Sequence, residues 1–495
     1  MKDCIYIHNG DDVAVALRPL KKGEAINIDG VGTVICTEDI PQGHKICVHA
    51  LKKGDEVHKY GLVIGHTTQD INVGDWIHTH NMKTNLSGEV TYTYNPVDAT
   101  LPSQKPATFM GFRRPDGRAA IRNEIWIIPT VGCVNDVAHS IAQIANEHLQ
   151  GSVEGVYAFT HPFGCSQTGK DLDQTERLLA ALSKHPNATG VLFLSLGCEN
   201  CTHEHMLQKL GDFDQKRIRF LTCQEVDDEI DEGVKICDEL IKQSANLKRE
   251  PILTSELVIG LKCGGSDGLS GITANPVIGR VSDTLVAQGG TTALTEVPEM
   301  FGAESLLLNR CTSKEVFDRA ASMLNNFKDY FLSHHEVVYD NPSPGNKEGG
   351  ITTLEDKSCG CVQKGGTAPI VDVVEYADTI KKHGVNMLNS PGNDIVSTTA
   401  LAVAGCHMVL FSTGRGTPFG SPVPTLKIFT NSHFAKHKGD WMDFNAGVVA
   451  DGTRTLGEAG NDLFKIVLDV ASGKRTTSER NGYREISIWK DGVTL

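Results

Sequence analysis

The sequence predicts an α/β protein in which strands and helices alternate along most of the chain, preceded by a small β-rich domain. Two observations lead to this fold class. Residues 1–88 repeat a turn pattern without helical periodicity, whereas from residue 109 onward apolar strand-like runs alternate with amphipathic helical segments. Such alternation is typical of parallel sheets with helical crossovers. At 495 residues the chain exceeds the usual size of one core, so we expect two or three domains.

The first 88 residues contain a fourfold repeat in which an apolar residue and a two-residue turn with at least one polar residue precede a glycine, and the chain then returns to an apolar residue. The glycines of the four copies are Gly23, Gly43, Gly54 and Gly74. Short strands joined by tight turns have this pattern. We therefore predict a β-rich domain over residues 1–88.

A proline-containing stretch, residues 89–108, predicts an extended linker. A second polar stretch, residues 244–255, separates a middle α/β domain (109–248) from a C-terminal α/β domain (249–495), with the boundary defined to within several residues.

Composition excludes some partners. A formal charge of −14 argues against nucleic-acid binding, which needs a basic surface. We see neither a secretory leader at the N-terminus nor a run of about 18 apolar residues, so we expect a soluble, cytoplasmic protein without membrane contact. In that compartment the fourteen cysteines are expected as thiols for packing, metal binding or catalysis.

Five strand-like runs end in a cysteine: Cys133, Cys165, Cys198, Cys223 and Cys263. Loops that follow parallel strands converge at one sheet edge, and thiolates are soft ligands for iron, zinc and iron–sulfur clusters. We predict Cys165, Cys198 and Cys263 as metal ligands, with Cys133 as a fourth candidate. The alternative is that these cysteines are ordinary core residues.

Two glycine-rich stretches follow apolar strands, CGGSDGLSG at 263–271 and STGRGTPFG at 412–420. Their backbone N–H groups and hydroxyls suit a carboxylate or phosphate, although neither matches a nucleotide-binding pattern. Ser266 and Arg415 are therefore candidate substrate-binding residues, and Arg415 could equally form a structural ion pair. Asn393, in SPGND, is a third candidate or a helix cap.

Histidines supply candidates for proton transfer. We predict that His78 and His80 point to one face of a strand, where His80 would act in catalysis and Asn81 in substrate binding; a solvated surface is the alternative. His161 lies near Cys165 in sequence and is a candidate base. Asp267 is the third candidate catalytic residue. If the cysteines are core thiols, we expect Glu199, Asp267 and His161 as metal ligands instead. The pair Cys359 and Cys361 is a weak signal for a metal site, and a glycine-rich turn is the alternative.

Several long strings together resemble the altronate/galactarate dehydratase family along nearly the whole chain: IRNEIWIIPTVGCVN, GCSQTG, LGCEN, CGGSDGLSGITANP, LTEVPEMFGAE, NPSPGNKEGGITTLEDKS, NSPGND and AGCHMVLFSTGRGTP. The resemblance implies a SAF-type β-clip first domain, a middle domain used for homodimer formation, and a Rossmann-like C-terminal domain with the metal site. It also implies a hydro-lyase that converts D-altronate to 2-keto-3-deoxy-D-gluconate. The implied cofactor is Fe²⁺, with Mn²⁺ or an iron–sulfur cluster as alternatives.

Other functions stay open at the level of sequence. Galactarate dehydration and carbon–sulfur lyase action on sulfolactate are the nearest alternatives, because these reactions also pass through an enolate. A protein that binds a sugar acid without turnover is the alternative from another class. We also expect the first domain to cover the catalytic cleft as a lid.

Overall fold

The computed structural model of the chain describes residues 2–494 and confirms the predicted fold class. A small β domain comes first, followed by two α/β parts that each contain a parallel sheet. Among the described residues, no helix is both long enough and apolar enough to cross a lipid bilayer.

The N-terminal β domain is built from short strands, which are β1 (Cys4–Ile5), β2 (Val13–Ala16), β3 (Ala25–Ile28), β4 (Gly32–Ile35), β5 (Lys45–Cys47), β6 (Glu56–Lys59), β7 (Leu62–Thr67), β8 (Trp76–Ile77) and β9 (Met82–Lys83). All four repeat glycines lie in turns with positive φ, between 80° and 94°. Antiparallel bridges join Leu20 to Ile40 and Leu51 to Ile71, so the repeats pair within each half of the domain.

The linker has no regular secondary structure until residue 108, and it lies along the C-terminal domain. The Tyr92 hydroxyl donates to Glu304 at 3.0 Å, the Tyr94 hydroxyl donates to the Cys311 carbonyl at 2.9 Å, and Gln104 N–H donates to the Ala287 carbonyl. The linker is therefore anchored to the C-terminal part at several points.

The middle part contains β10 (Thr108–Arg113), β11 (Ala119–Ala120), β12 (Glu124–Pro129), α1 (Asn135–Glu147), β13 (Gly155–Ala158), α2 (Gly169–Ser183), β14 (Ala188–Ser195), α3 (His203–Leu210), β15 (Ile218–Thr222), α4 (Glu229–Ser244) and β16 (Arg249–Leu253). Its four-stranded parallel sheet has the order β13-β12-β14-β15. Strand β12 is buried along its whole length, which explains its continuous apolar run. Strands β10 and β16 pair antiparallel, so the chain enters and leaves this part through neighbouring strands.

The C-terminal part contains β17 (Val258–Cys263), α5 (Ala274–Ala287), β18 (Thr291–Leu294), α6 (Glu304–Leu308), α7 (Lys314–Ser333), α8 (Pro344–Glu348), α9 (Leu354–Cys361), β19 (Ile370–Val374), β20 (Gly384–Leu388), α10 (Asp394–Val403), β21 (Met408–Thr413), β22 (Thr425–Phe429), α11 (Ser432–His437), β23 (Phe444–Asn445), α12 (Leu456–Ala471) and α13 (Thr477–Arg480). Short 3₁₀ turns, such as Val297–Met300 and Val362–Gly365, connect several of these elements.

Seven parallel strands of this part form one sheet in the order β19-β20-β18-β17-β21-β22-β23. The chain moves from β17 toward one edge, through β18, and later returns through β21 toward the other edge. The boundary between β17 and β21 is therefore a topological switch point, where ligands bind in open α/β sheets. A shared apolar core, which includes Trp126, Phe193, Leu401 and Phe411, packs the middle part against this sheet.

Candidate functional site

The two glycine-rich loops lie side by side at the switch point, because one follows β17 and the other follows β21. Gly264 N–H donates to the Ser412 carbonyl at 3.0 Å, and Gly414 N–H donates to the Gly265 carbonyl at 3.1 Å. The loops therefore continue the strand pairing beyond the sheet edge. This brings Asp267 and Arg415, which the sequence predicted as site residues, to the same place in the fold.

Asp267 is buried between the two loops. One carboxylate oxygen accepts from the Leu269 amide and the Ser270 hydroxyl, and the other accepts from the Thr430 hydroxyl at 2.8 Å and the Asn431 amide at 3.1 Å. Burial raises the pKa of Asp267, and these hydrogen bonds oppose the rise. The carboxyl group is held in one orientation.

A cleft of about 140 Å³ lies between the N-terminal β domain and these loops, and its lining includes Gln42, Gly43, Asp267, Arg415, Asn431 and His433. A side chain at Gly268 could not fit there, because a Cβ atom would lie 1.9 Å from the Gly43 carbonyl oxygen. The repeat turn at Gly43 thus closes directly over the first glycine-rich loop.

Arg415 reaches the cleft with an exposed guanidinium group, which pairs with Glu348 at 2.7 Å. Glu348 is itself 72% exposed at its side chain, so this ion pair is solvated and weak. The planar fork of Arg415 retains donors that could bind a ligand carboxylate.

A second, much smaller cavity lies deeper, and its lining includes Lys59, Ser266, Asp267, Lys357 and Cys361. Asp267 lines both cavities. Ser266, another predicted site residue, is buried here, and its backbone carbonyl accepts from the Asn346 side chain at 2.8 Å. The inner cavity connects the cleft residues to a group of buried charges.

Three lysines and two glutamates form that buried group. Glu296 contacts Lys262 and, at 3.2 Å, Lys364, while Glu299 contacts Lys357 at 2.8 Å. Burial alone would raise the pKa of Glu299, but the three lysines outweigh burial and lower it. The group therefore keeps ammonium charge in a site with little access to water.

Glu296 has a backbone conformation that is costly for a residue with a side chain. Its φ of 70° and ψ of 60° are left-handed values. Strain of this kind persists where the surrounding structure fixes a residue, and such residues cluster at functional sites.

Two thiols complete the group. Cys263 Sγ lies 3.3 Å from Cys361 Sγ and 2.9 Å from Lys364 Nζ, and both thiols are within 3.2 Å of a Glu299 oxygen. The hydrogen bond with Cys263, together with burial, raises the pKa of the Cys361 thiol. Within residues 2–494, Cys263, Glu299 and Cys361 are the one group whose donor atoms are close enough to share a metal ion.

For Cys361 the structure excludes the turn alternative. It lies at the end of helix α9 rather than in a glycine-rich turn, and it is buried against Cys263. The helix begins at the Thr353 cap, whose hydroxyl accepts from the Asp356 amide.

The N-terminal β domain docks on helix α9 through buried charges. Asp356 accepts from Lys45 at 2.7 Å and from Lys59 at 2.9 Å, and all three side chains are at most 2% exposed. Lys45 also donates to the Gly350 carbonyl. The contact places this domain over the inner cavity.

The prediction that His78 and His80 share a strand face is wrong. Strand β8 ends at Ile77, because the Asn81 side chain accepts from the His78 amide and donates to the Trp76 carbonyl, which closes a turn. His78 is buried and 3.1 Å from the Thr352 hydroxyl, whereas His80 is exposed beside Trp76. His78 therefore contacts the C-terminal part.

The predicted metal ligands divide between two sheets. Cys133, Cys165 and Cys198 follow β12, β13 and β14 of the middle sheet and are exposed, whereas Cys263 ends β17 of the C-terminal sheet and is buried. His161 is also in the middle part, where it bonds to the Pro129 carbonyl at 2.8 Å, and burial lowers its pKa to about 4.

Asn393 has the cap role that the sequence offered as an alternative. Its side chain accepts from the amides of Ile395 and Val396 at the start of α10. Asp394, the next residue, lies 3.0 Å from Lys262 Nζ and so touches the buried charged group.

Sequence reasoning missed Lys262, Lys357, Lys364, Glu296 and Glu299. Lys262 carried a usable signal, since a lone lysine within the apolar run LVIGLKC must find a buried partner. Glu296 similarly follows the apolar strand TTALT. The partners of both come from distant segments, which spacing along the chain does not reveal.

The fold and the site together are those of an α/β enzyme. Polar and charged groups converge at the switch point of a parallel sheet, and a separate β domain closes over them.

Sequence comparisons identify the family. The model of the altronate/galactarate dehydratase SAF domain matches residues 2–85, that of the D-galactarate dehydratase/altronate hydrolase second domain matches 111–245, and that of the D-galactarate/altronate dehydratase C-terminal domain matches 254–494. The chain belongs to the altronate/galactarate dehydratase family.

Relatives agree with this assignment. The chain is 48% identical to an altronate dehydratase of Bacillus subtilis over 100% of both chains, and 49% identical to an altronate dehydratase of Escherichia coli over 99% of both. It is 33% identical to the galactarate dehydratase (L-threo-forming) of E. coli, covering 96% of this chain and 93% of that one.

Proposed function

We propose that this protein is a hydro-lyase that dehydrates D-altronate to 2-keto-3-deoxy-D-gluconate. The observation that carries the proposal is the cleft beside Asp267 and Arg415, which leads to buried lysines at the switch point of the C-terminal sheet. The higher identity to the two altronate dehydratases than to the galactarate dehydratase supports altronate as the substrate.

The charges of the site suit this reaction. Arg415 can bind the substrate carboxylate in the cleft with its planar fork. Removal of the hydrogen beside that carboxylate produces an enolate, and Lys357, which lines the inner cavity, can stabilise the new negative charge in a dry environment. Asp267 lines both cavities, so its carboxyl group lies where proton transfer to or from the substrate would take place.

Metal dependence is part of the proposal, with Fe²⁺ as the expected ion and Mn²⁺ as the alternative. Cys263, Glu299 and Cys361 fit such an ion, because two thiols and a carboxylate lie within 3.3 Å of one another in a buried site. Binding would release the thiol protons. A divalent ion there would act as a Lewis acid toward substrate oxygens.

The test is an anaerobic assay of the purified protein with Fe²⁺ and, in parallel, D-altronate, galactarate and sulfolactate. We expect a 2-keto product with the highest kcat/KM for D-altronate. A higher value for galactarate would correct the substrate, release of sulfite from sulfolactate would indicate a carbon–sulfur lyase, and binding without turnover would indicate a sugar-acid-binding protein.

A second measurement addresses the residues. Lys357→Met should abolish turnover while retaining substrate binding, whereas Lys465→Met, at an exposed position of helix α12, should leave turnover unchanged. Glu299→Gln should lower the amount of metal bound by the Cys263 group. Full activity of Lys357→Met would refute the role of the buried lysines.

Homodimer formation and a cytoplasmic location complete the proposal. We expect the middle part to form the dimer contact, and light scattering after size-exclusion chromatography measures the mass directly. A mass equal to one chain at micromolar concentration would reject the dimer.

A further inference from the structure

Three of the fourteen cysteines are exposed, and all three lie at one edge of the middle sheet. They are Cys133, Cys165 and Cys198, which follow the adjacent strands β12, β13 and β14. Cysteine is among the most buried residue types, and an exposed thiol is open to oxidation. Packing therefore does not explain why the exposed thiols gather on neighbouring loops.

The three loops are bound to one another. Gly132 N–H donates to the Phe163 carbonyl at 3.0 Å, and Cys201 N–H donates to the Gly164 carbonyl at 3.0 Å. The Ser166 amide donates to the Asn200 side chain at 2.8 Å. These hydrogen bonds hold the three cysteine-bearing loops beside one another at this edge of the sheet.

A glycine precedes each of the three cysteines. At Gly164 a Cβ atom would lie 1.9 Å from the Thr130 carbonyl oxygen, and Gly197 has a φ of 126° with Gln224 Oε1 2.7 Å from the Cβ position. Only glycine allows the loops to come this close. Ser166, next to Cys165, adopts a left-handed φ of 54°, a strained conformation for a residue with a side chain.

A buried carboxylate fixes the loop that carries Cys198. Glu199 accepts from the Thr130 hydroxyl at 2.7 Å and from the Gly197 amide at 2.7 Å. The loop conformation is therefore determined by the protein itself before any ligand binds.

We propose that Cys133, Cys165 and Cys198 bind a four-iron, four-sulfur cluster, with one iron left without a protein thiolate. A single metal ion needs sulfurs within about 4 Å of one another, since metal–sulfur bonds are about 2.3 Å long. Among residues 2–494 that condition selects the Cys263 group and not these three cysteines. A cluster spreads its ligands over different irons and so suits more widely spaced thiolates.

Cluster assembly requires no oxidation or reduction of the protein. Each of the three thiols loses its proton as it binds iron, and the iron and sulfide are supplied as the preformed cluster or as ferrous salt, ferric salt and sulfide. The site is separate from the Cys263 group, so this inference stands independently of the proposed substrate.

The experiment is anaerobic reconstitution of the full-length protein, followed by analysis of iron, acid-labile sulfide and visible absorption. We expect about four irons and four sulfides in the cluster, with the broad visible absorption of an iron–sulfur centre. Cys133→Ser, Cys165→Ser and Cys198→Ser should each lose most of that absorption and sulfide, with unchanged melting temperature of the apo-protein.

Two matched variants keep the test decisive. Cys223→Ser, on the next loop of the same edge, and Cys263→Ser, in the other sheet, should both retain full absorption and sulfide. Loss of the cluster in Cys223→Ser, retention of it in all three exposed-cysteine variants, one zinc ion per chain without sulfide, or no absorption after reconstitution would each overturn the proposal.

Discussion

Replacement of Asp356 by Asn should weaken the attachment of the N-terminal β domain more than any other single change at that contact. Asp356 is the shared partner of Lys45 and Lys59, and it also accepts from the Thr352 amide at 3.1 Å. Burial would raise the pKa of Asp356, but the two lysines outweigh it and hold the pKa well below its usual range. The carboxylate is thus charged throughout the physiological pH range.

The size of the effect follows from what the substitution leaves behind. An asparagine keeps the shape but leaves two ammonium groups buried without a counter-charge, which costs about 3 to 5 kcal/mol. Lys45 keeps its bond to the Gly350 carbonyl, and its pKa is already lowered to about 8, chiefly by burial. In the variant its pKa must fall further, so the unfolded state binds more protons and the deficit should shrink as the pH rises from 7 to 9.5.

The assay is urea unfolding at pH 7 and 9.5, combined with hydrogen exchange of the N-terminal β domain. The control is the triple variant Lys45→Met, Lys59→Met and Asp356→Leu, which buries no charge and should lose much less stability than Asp356→Asn. An Asp356→Asn protein within about 0.5 kcal/mol of the parent, with unchanged exchange in this domain, would refute the reasoning.

The other predictions concern pH, substrate binding and a helix cap. Burial lowers the pKa of His407 to about 4, so the unfolded state binds more protons than the folded state below pH 6.5. The free energy of unfolding should therefore fall by about 3 kcal/mol between pH 6.5 and pH 4 because of this group. His407→Gln should make that pH dependence weaker, whereas substitution of the exposed His139 by Gln should not. Arg415→Lys should lower kcat/KM by an amount equal to a loss of about 1.5 to 3 kcal/mol in transition-state stabilisation. If Glu348→Gln, which removes only the ion pair of Arg415, lowers kcat/KM equally, Arg415 has a structural role. Asn393→Ala should cost about 1 kcal/mol in thermal or urea unfolding with KM unchanged, and a higher KM at equal stability would instead indicate substrate contact.

Local features of the fold followed directly from the sequence. The apolar runs around Trp126, Val191 and Val258 are buried parallel strands, and the glycine repeat at Gly23 and Gly43 forms tight turns as expected. These features depend on neighbouring residues, whose chemistry the sequence displays. The two glycine-rich loops meet for a similar reason, because each directly follows a predicted strand.

Which residues form the site depends on contacts between distant segments of the chain, and the sequence does not show those contacts. Cys133 and Cys263 both follow strands, but alternation of strands and helices does not say which strands share a sheet. The pairing of Glu299 with Lys357 joins a 3₁₀ turn to a helix far along the chain. The alternate spacing of His78 and His80 favoured a strand through both residues, but the turn closed by Asn81 ends the strand before His78.

The Lys45–Asp356–Lys59 contact also determines when this protein can finish folding on the ribosome. The partners are separated by 311 and 297 residues, and synthesis proceeds at about 5 to 20 residues per second, so Asp356 arrives roughly 15 to 60 seconds after the lysines. During that interval both ammonium groups must stay hydrated. The first domain to leave the ribosome therefore cannot reach its final surroundings, or enclose the cleft, until the helix that contains Asp356 has formed.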